Sequence, residues 1–138
     1  MYKRQASNSG VNGSVVGLAL AAKARGHQVI AVTSLEHTNA VDTKHPSGKR
    51  LNDIADVVID NRAPFGDTTV EISGGGGVGA VSSITAAYIA QLLTIETVQS
   101  LIRAGEPPPI YVSANIPGGE EHNTALVSQY AGRLRRDA

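Results

Sequence analysis

The feature that most constrains this chain is the polar loop Ser-Asn-Ser-Gly-Val-Asn-Gly at residues 7–13, which runs directly into a segment of small and apolar residues. Apolar residues recur there at intervals of three and four, and Gly26 follows as a stop, so we predict a helix over residues 14–25. The first turn of a helix carries N–H groups without intrahelical partners and a partial positive charge. Short hydroxyl and amide side chains add donors, and glycine lets a ligand approach the backbone. The loop therefore predicts an anion-binding helix start.

The segment after this helix, residues 28–34, is short, β-branched and nearly all apolar, which is typical of a buried parallel strand. Ligand sites in αβ units lie at the carboxyl ends of strands, so the Ser7 loop, Thr33 and Ser34 should share one edge of the sheet. Three further strands are predicted: a buried one at residues 56–60, an edge strand at 68–72 and a last strand at 110–113. The chain therefore reads as an α/β domain.

Residues 1–5, Met-Tyr-Lys-Arg-Gln, do not continue this pattern, because an apolar strand is expected before Ser7 and none is evident. We therefore expect residues 1–5 to be a non-native leader, such as a translated sequencing adapter. Residues 6–138 would then form a domain that lacks its N-terminal part. The alternative is an ordinary chain terminus.

Composition narrows the class of protein further. The 138 residues suffice for one domain or less, and the 12 basic residues balance the 12 acidic ones, which argues against nucleic-acid or membrane-surface partners. The absence of cysteine excludes a disulfide framework and thiol catalysis. No apolar run reaches the roughly 20 residues of a membrane span. We therefore expect a cytoplasmic protein without a membrane segment.

A second glycine run, residues 74–79, fits the dinucleotide-binding pattern G-x-G-x-x-G and precedes a helical segment. The acidic residue that this motif places about 20 positions further on is missing, because Glu96 lies inside the same predicted helix. A nucleotide-binding loop and a flexible connector both stay open as interpretations of the run. We expect no cofactor.

The longest predicted helix covers residues 80–103 and is apolar nearly all round. One stripe consists of Val81, Ile84, Tyr88, Leu92, Ile95 and Ile102. A helix of this kind is buried, either in the core or against another subunit.

His122 is the best candidate for a general acid or base, because imidazole titrates near neutrality and carboxylates stand beside it. We predict His122 and Glu121 as catalytic residues, just before a helix over residues 124–136. Alternatively, Glu120 and Glu121 favourably begin that helix and His122 is merely exposed there. Neighbouring side chains diverge on a helix and no histidine pair has ligand spacing, so we expect no metal site.

Several segments carry a family resemblance. The Ser-x-Ser-Gly turn at residues 7–10, the small-residue helix and Val-Ile-Ala-Val-Thr-Ser at 29–34 resemble the sugar isomerase (SIS) domain. A poorly characterised bacterial SIS-domain family is more similar still, through His-Pro-Ser-Gly-Lys-Arg-Leu at 45–51, Ala-Asp-Val-Val-Ile-Asp-Asn at 55–61 and Ser-Ala-Asn-Ile-Pro-Gly-Gly-Glu-Glu-His-Asn at 113–123. The resemblance covers nearly everything from residue 7 to residue 133.

The resemblance implies a Rossmann-like α/β fold, with a three-layer parallel sheet and helices on both faces, incomplete at the N-terminus. It also implies a phosphorylated sugar or related carbohydrate derivative as ligand. The implied ligand-binding residues are Ser7, Asn8, Ser9, Gly10 and Asn12, with Thr33 and Ser34 lining the next loop. In SIS proteins the long helix packs in a dimer interface, which implies a homodimer or homotetramer. An aldose–ketose isomerase, a non-catalytic sensor and a nucleotide-binding oxidoreductase stay open for the intact protein, and this chain alone is expected to be inactive.

Overall fold

The computed structural model describes the backbone of residues 2–133 and the side chains of residues 6–133. The chain divides into two compact units between Leu93 and Thr94. The basic end of the last predicted helix, at residues 135–136, lies outside the described residues.

In chain order the elements are β1 (Tyr2–Ala6), α1 (Gly13–Ala24), β2 (Gln28–Thr33), α2 (Leu35–Ala40), α3 (Leu51–Ile54), β3 (Val57–Asp60), a short 3-10 turn (Phe65–Asp67), β4 (Val70–Glu71), β5 (Gly77–Val78), α4 (Val81–Arg103) and α5 (Gly119–Gln129). The α/β class, the first helix, the strand after it and the long helix are confirmed. The last helix begins earlier than predicted.

The main sheet has three parallel strands in the order β1-β2-β3. β2 is central, and its residue Val32 stands opposite Ala6 on one side and Ile59 on the other. The prediction of a parallel sheet around β2 is confirmed. The prediction that β3 is buried is wrong, because Val57 and Val58 are 50% and 37% exposed at the edge of the sheet.

The strand before the polar loop, which we expected to be missing, is present. β1 pairs with β2 over its whole length, from Tyr2 opposite Gln28 to Ala6 opposite Val32. A strand is held by backbone N–H and C=O groups, which every residue except proline supplies, so a polar segment pairs with an apolar one. That residues 1–5 are non-native and that residues 6–138 form the domain stay predictions.

One face of the sheet is covered by α1 and α3. The alternate residues Val29 and Ala31 of β2 are fully buried on this face. They pack against Val16, Ala19 and Ala22 of α1 and against Leu51 and Ile54 of α3. This packing positions the start of α1 at the carboxyl edge of the sheet.

The opposite face of the sheet is only partly covered. Ile30 and Val32, together with Ala6, border a cavity of about 230 Å3. Its other wall is formed by Ala86, Ile89, Ala90 and Leu93 of α4. Closed packing of helices on both faces is therefore not established in this chain, and a complete three-layer sheet stays a proposal.

Helix α4 confirms the long helix but not its burial within this chain. No described residue of α4 is buried, and Ile84 and Tyr88 are 74% and 63% exposed. Within the described chain, α4 is also the one helix that is long and apolar enough to cross a membrane by length and composition. Glu96 lies within it, and a charged side chain inside a membrane costs several kcal/mol.

The glycine run forms a hairpin. β4 and β5 pair in antiparallel fashion, and the N–H of Ile72 donates to the carbonyl of Gly76 at 3.0 Å across the turn. The dinucleotide motif joins a parallel strand to a helix, so this geometry does not match it. Gly77 belongs to β5 and the preceding glycines form the turn, so a flexible connector stays a prediction. The predicted edge strand at residues 68–72 is confirmed in shorter form.

Residues 110–113 do not form the predicted last strand. They run beside α5, where the side chain of Asn123 donates to the carbonyl of Val112 at 2.8 Å and accepts from its N–H at 3.0 Å. An apolar β-branched run becomes a strand only where a neighbouring strand supplies backbone partners. Here one side-chain amide takes that place.

Candidate functional site

The polar loop between β1 and α1 lies at the carboxyl edge of the sheet, as predicted. The N–H of Ser7 donates to the carbonyl of Val32, and the N–H of Ser34 donates to the carbonyl of Asn8, both at 3.0 Å. These bonds continue the β1–β2 pairing beyond the strands. The loop and the end of β2 are thus one connected structure.

Gly10 is the turning point of the loop. Its φ of +63° lies in the left-handed region, and a β-carbon there would stand 2.9 Å from Oγ1 of Thr33. Its carbonyl accepts from the N–H of Leu51 at 2.8 Å, and its N–H donates to Oγ of Ser7 at 3.2 Å. The loop is therefore held against α3 by backbone bonds that leave no room for a side chain at residue 10.

Three of the predicted ligand contacts use their hydroxyl groups inside the protein. Oγ of Ser7 serves the Gly10 turn, and the fully buried Thr33 donates to the carbonyl of Asn8 at 3.0 Å. Ser34 is also fully buried and donates to the carbonyl of Ala63 at 2.6 Å. Its hydroxyl oxygen accepts from the N–H of His37, so Ser34 caps the start of α2. All three side chains hold the loop, but Ser7 only accepts, so its O–H is still able to donate. That they touch a ligand stays a prediction.

The side chain of Asn8 joins the loop to His37, in the segment after β2, and to Asn61, which our prediction did not include. Its Oδ1 accepts from Nδ2 of Asn61 at 3.1 Å, and its Nδ2 lies 3.2 Å from Nδ1 of His37. Asn61 directly follows β3, in the same position relative to its strand as Ser34 to β2. The rule that sites gather at the carboxyl ends of strands was therefore a usable signal for Asn61.

Ser9 and Asn12 are the predicted contacts that remain available. Ser9 is half-buried and Asn12 is exposed, and neither side chain hydrogen-bonds to another residue in the part of the chain described by the structure. Asn12 is the N-cap residue of α1 but its side chain makes no capping bond. The N–H groups at the start of α1 thus keep their partial positive charge toward solvent.

The other long helices begin differently. At α4 the carboxylate of Asp67 accepts from the N–H of Ser82 at 2.7 Å and also bonds its hydroxyl. α5 has Glu120 and Glu121 in its first turn. Of the helices longer than ten residues within 2–133, α1 alone begins without a carboxylate.

One basic residue, Lys44, borders the start of α1. Lys44 is exposed, its N–H donates to the carbonyl of Val11 at 3.3 Å, and its own carbonyl faces Gly13. Across the described side chains, Lys44 has no ion pair. The backbone of Lys44 is therefore close to the uncapped helix start, and its side chain is exposed there.

Asp60, at the end of β3, is an acidic residue of this edge. Burial acts to raise its pKa, but the N–H groups of Arg62 and Leu35 and the Arg62 guanidinium outweigh burial and hold the pKa below its ordinary value. Asp60 is therefore ionised at neutral pH. It borders a groove of about 310 Å3 together with Leu35, Glu36, Asn39 and Arg62.

The predicted catalytic residues belong to the second unit. Glu121 and His122 are exposed in the first turn of α5, and Nε2 of His122 donates to the carbonyl of Ile110 at 3.0 Å. A groove of about 350 Å3 beside α5 is bordered by Glu120, but not by Glu121 or His122. This geometry matches the alternative of an acidic helix start. A catalytic role for the two residues stays a prediction.

No metal centre is formed by the described residues, since no three His, Cys, Asp or Glu side chains among them stand close enough to share an ion. The candidate site is therefore built from hydroxyl, amide and backbone donors.

The first comparison with known proteins concerns this same segment. Residues 5–34 match the family model for the SIS domain. These residues comprise the end of β1, the polar loop, α1 and β2. The match therefore falls on the elements that build the candidate site.

Similar proteins extend the likeness along nearly the whole chain. A UPF0309 protein of Caldanaerobacter subterraneus subsp. tengcongensis is 38% identical over 132 residues, which is 94% of this chain and 54% of that protein. A UPF0309 protein of Halalkalibacterium halodurans is 38% identical over 90% of this chain and 52% of that protein. A UPF0309 protein of Listeria monocytogenes serovar 1/2a is 40% identical over 93% of this chain and 55% of that protein. The chain spans about half the length of the curated relatives it matches.

Proposed function

We propose that this chain, which is an SIS-domain protein related to the UPF0309 family, binds an anionic carbohydrate derivative, specifically a sugar phosphate, in the loop between β1 and α1. The observation that carries the proposal is the uncapped start of α1, flanked by Ser9 and Asn12 with unused side-chain donors. This start lies within the segment that matches the SIS domain.

The phosphate group would be held by donors that converge on the first turn of α1. Backbone N–H groups at a helix start and the helix dipole together favour a dianion. Ser9 and Asn12 add side-chain donors from the loop, and Lys44 adds a positive charge. Hydrogen bonds to a charged group stabilise by about 1.5–3 kcal/mol each, so a few suffice for micromolar to millimolar affinity.

The buried hydroxyls beneath the loop support this role by holding it in one conformation. Thr33, Ser34 and Gly10 are all buried and tie the loop to the ends of β2 and to α3. A loop that is already ordered does not have to be ordered at the moment of binding, which improves affinity. We therefore expect little movement of the loop when the ligand binds.

Binding without turnover is the activity that we propose for this chain. Proton transfer between neighbouring carbons would need a base that takes a proton from the carbon beside the carbonyl group. The Nε2–H of His122, the predicted base, is already used in a bond to the carbonyl of Ile110. Measurable isomerisation of a sedoheptulose or hexosamine phosphate by this chain would contradict the proposal.

The experiment is a calorimetric titration of the protein with sugar phosphates, the matching unphosphorylated sugars and NAD. We expect binding that requires the phosphate group. Asn12→Ala and Ser9→Ala should each weaken it about tenfold, as expected for one hydrogen bond to a charged group. Ser83→Ala, an exposed serine in the first turn of α4, is the matched control and should leave affinity unchanged. Equal affinity for phosphorylated and unphosphorylated sugars, or binding of NAD alone, would refute the function.

We also propose that the exposed apolar stripe of α4 contacts a second copy of the chain, to give a homodimer or homotetramer. Five large apolar side chains on this helix are 41% to 74% exposed, namely Ile84, Tyr88, Leu92, Ile95 and Ile102. A contiguous apolar stripe of this kind marks a protein contact. A cytoplasmic location completes the proposal.

A further inference from the structure

We propose that His37 is a further ligand-binding residue of this site, which presents the Nε2–H of a neutral imidazole to an oxygen of the carbohydrate part of the ligand. The inference rests on the proposed function, because it adds a contact to the same site. We derive it from a series of hydrogen bonds that runs from the backbone N–H of Ala63 through the side chains of Asn61 and Asn8 to the ring of His37.

The orientation of Asn61 is set by the protein backbone. The N–H of Ala63 donates to Oδ1 of Asn61 at 3.0 Å, and a backbone N–H can only donate. The other end of the amide, Nδ2, is therefore the group that faces Asn8, where it donates to Oδ1 at 3.1 Å. Asn61 is buried, so water does not compete for the hydrogen bonds that fix the orientation of its amide.

The orientation of Asn8 sets the tautomer of His37. Because Oδ1 of Asn8 accepts from Asn61, its Nδ2 is the group that lies 3.2 Å from Nδ1 of His37. An amide NH2 has no acceptor capacity, so Nδ1 must be the unprotonated nitrogen. A neutral imidazole then carries its proton on Nε2.

The backbone and the ring of His37 are both held in place. The backbone N–H donates to Oγ of Ser34 at 3.0 Å. The ring packs against Phe65, with 5.2 Å between the two ring centroids. Nε2 forms no hydrogen bond to any side chain or backbone group of the described region. The result is a half-buried, oriented donor beside the loop, without an acceptor.

The neighbouring carboxylates do not supply that acceptor. Glu36 accepts from the N–H of Phe65 at 2.8 Å, and Asp60 accepts from the N–H groups of Leu35 and Arg62 at 3.2 and 3.0 Å. Neither carboxylate accepts a hydrogen bond from Nε2 of His37 in the described structure. Since His37 bonds to Asn8 and not to the α1 start, we assign it to the carbohydrate part and not to the phosphate.

Two substitutions separate this contact from a purely structural role. His37→Asn keeps an acceptor near the position of Nδ1 for Asn8 but removes the Nε2–H donor. His37→Gln places an NH2 donor near the position of Nε2 and loses the local acceptor. A ligand contact predicts that Gln retains affinity better than Asn does, whereas a structural brace predicts the reverse order.

The affinity test compares a hexosamine phosphate with inorganic phosphate. We expect His37→Asn to bind the hexosamine phosphate about tenfold more weakly and inorganic phosphate unchanged, with His37→Gln recovering most of the loss. His27→Asn, which changes a half-buried histidine at the amino end of β2, is the control and should bind like the unsubstituted protein. Equal weakening toward both probes, or a greater loss in the Gln variant, would overturn the inference.

A nitrogen-15 NMR spectrum of the histidine side chains provides an independent readout. We expect the His37 signals of the neutral form to report protonated Nε2, and protonated Nδ1 would overturn the inference. Failure of the unsubstituted protein to bind either probe would refute the proposed function itself. Normal binding of the hexosamine phosphate by His37→Asn would refute only the role of His37.

Discussion

Oγ1 of Thr33 lies 2.9 Å from the position that a β-carbon at residue 10 would occupy, so Gly10 and Thr33 fit together only because residue 10 has no side chain. Oγ1 of Thr38 lies 3.1 Å from the same position. Both threonines are fully buried and packed beneath the loop, which leaves them little freedom to move away. This contact links the end of β2 to the proposed phosphate-binding loop.

Gly10→Ala should therefore lower the free energy of unfolding by about 2–5 kcal/mol. The left-handed backbone costs about 1–2 kcal/mol for a residue with a side chain, and overpacking adds about 1–3 kcal/mol. Gly48→Ala is the matched control, because Gly48 has a φ of +68° but no atom within 4 Å of the added β-carbon. Urea unfolding of both variants checks the difference. Equal losses would show that the close contact is unimportant.

Ser34→Ala should destabilise the protein by about 2 kcal/mol. The change removes the N-cap of α2 and leaves the carbonyl of Ala63 without its 2.6 Å donor. Ser47→Ala, at an exposed serine, should change the free energy of unfolding by no more than about 0.5 kcal/mol. Thermal unfolding distinguishes the two variants. A Ser34 variant as stable as the Ser47 variant would contradict the positioning role.

The ion pair between Lys23 and Asp56 predicts a pH dependence of stability. Nζ of Lys23 lies 2.5 Å from Oδ1 of Asp56, and this bond, followed by the N–H of Val29, holds the pKa of Asp56 below its ordinary value. The unfolded chain thus binds this proton more readily than the native protein does. The ionised carboxylate of Asp56 therefore contributes its full stabilisation at pH values above the unfolded pKa of about 3.9. This stabilisation is lost as the pH falls through the lower pKa of the native protein.

Asp56→Asn should therefore lower the urea midpoint at pH 7, and the difference from the unsubstituted protein should shrink as the pH falls below about 4. Glu96→Gln is the control, because Glu96 lies 3.9 Å from Arg103 with both side chains largely exposed. It should have little effect at either pH. If the urea midpoints of the Asp56→Asn variant and the unsubstituted protein differ by the same amount at pH 7 and at pH 3, the role of the ionised carboxylate is contradicted.

The exposed stripe of α4 predicts an effect of charge on self-association. Ile84→Lys and Tyr88→Lys should each shift the protein toward monomer, because a lysine buried between copies loses hydration without a partner. Analytical ultracentrifugation over a range of concentrations measures the shift. Ser83→Lys, outside the stripe, should leave the association constant unchanged. A protein that is monomeric before substitution would refute association between copies.

The spacing of apolar residues in the sequence was enough to predict α1 and β2, the helix and the strand that bury one side in the core. The three- and four-residue intervals of α1 and the β-branched run of β2 have a single low-energy arrangement, because their apolar faces must leave water. The Ser-x-Ser-Gly turn likewise identified the loop, since the residues that make a helix start attractive to an anion are contiguous in the chain.

Tertiary structure decided which residues of that loop are free. Thr33 and Ser34 are as polar in sequence as Ser9 and Asn12, yet only the folded chain turns their hydroxyls toward Asn8 and Ala63. Strand identity was decided in the same way, since β1 is polar but has a neighbour, whereas residues 110–113 are apolar but have none. Hydrogen-bond partners distant in sequence, such as Asn8 and Asn61, are determined by packing and leave no periodic trace in the chain.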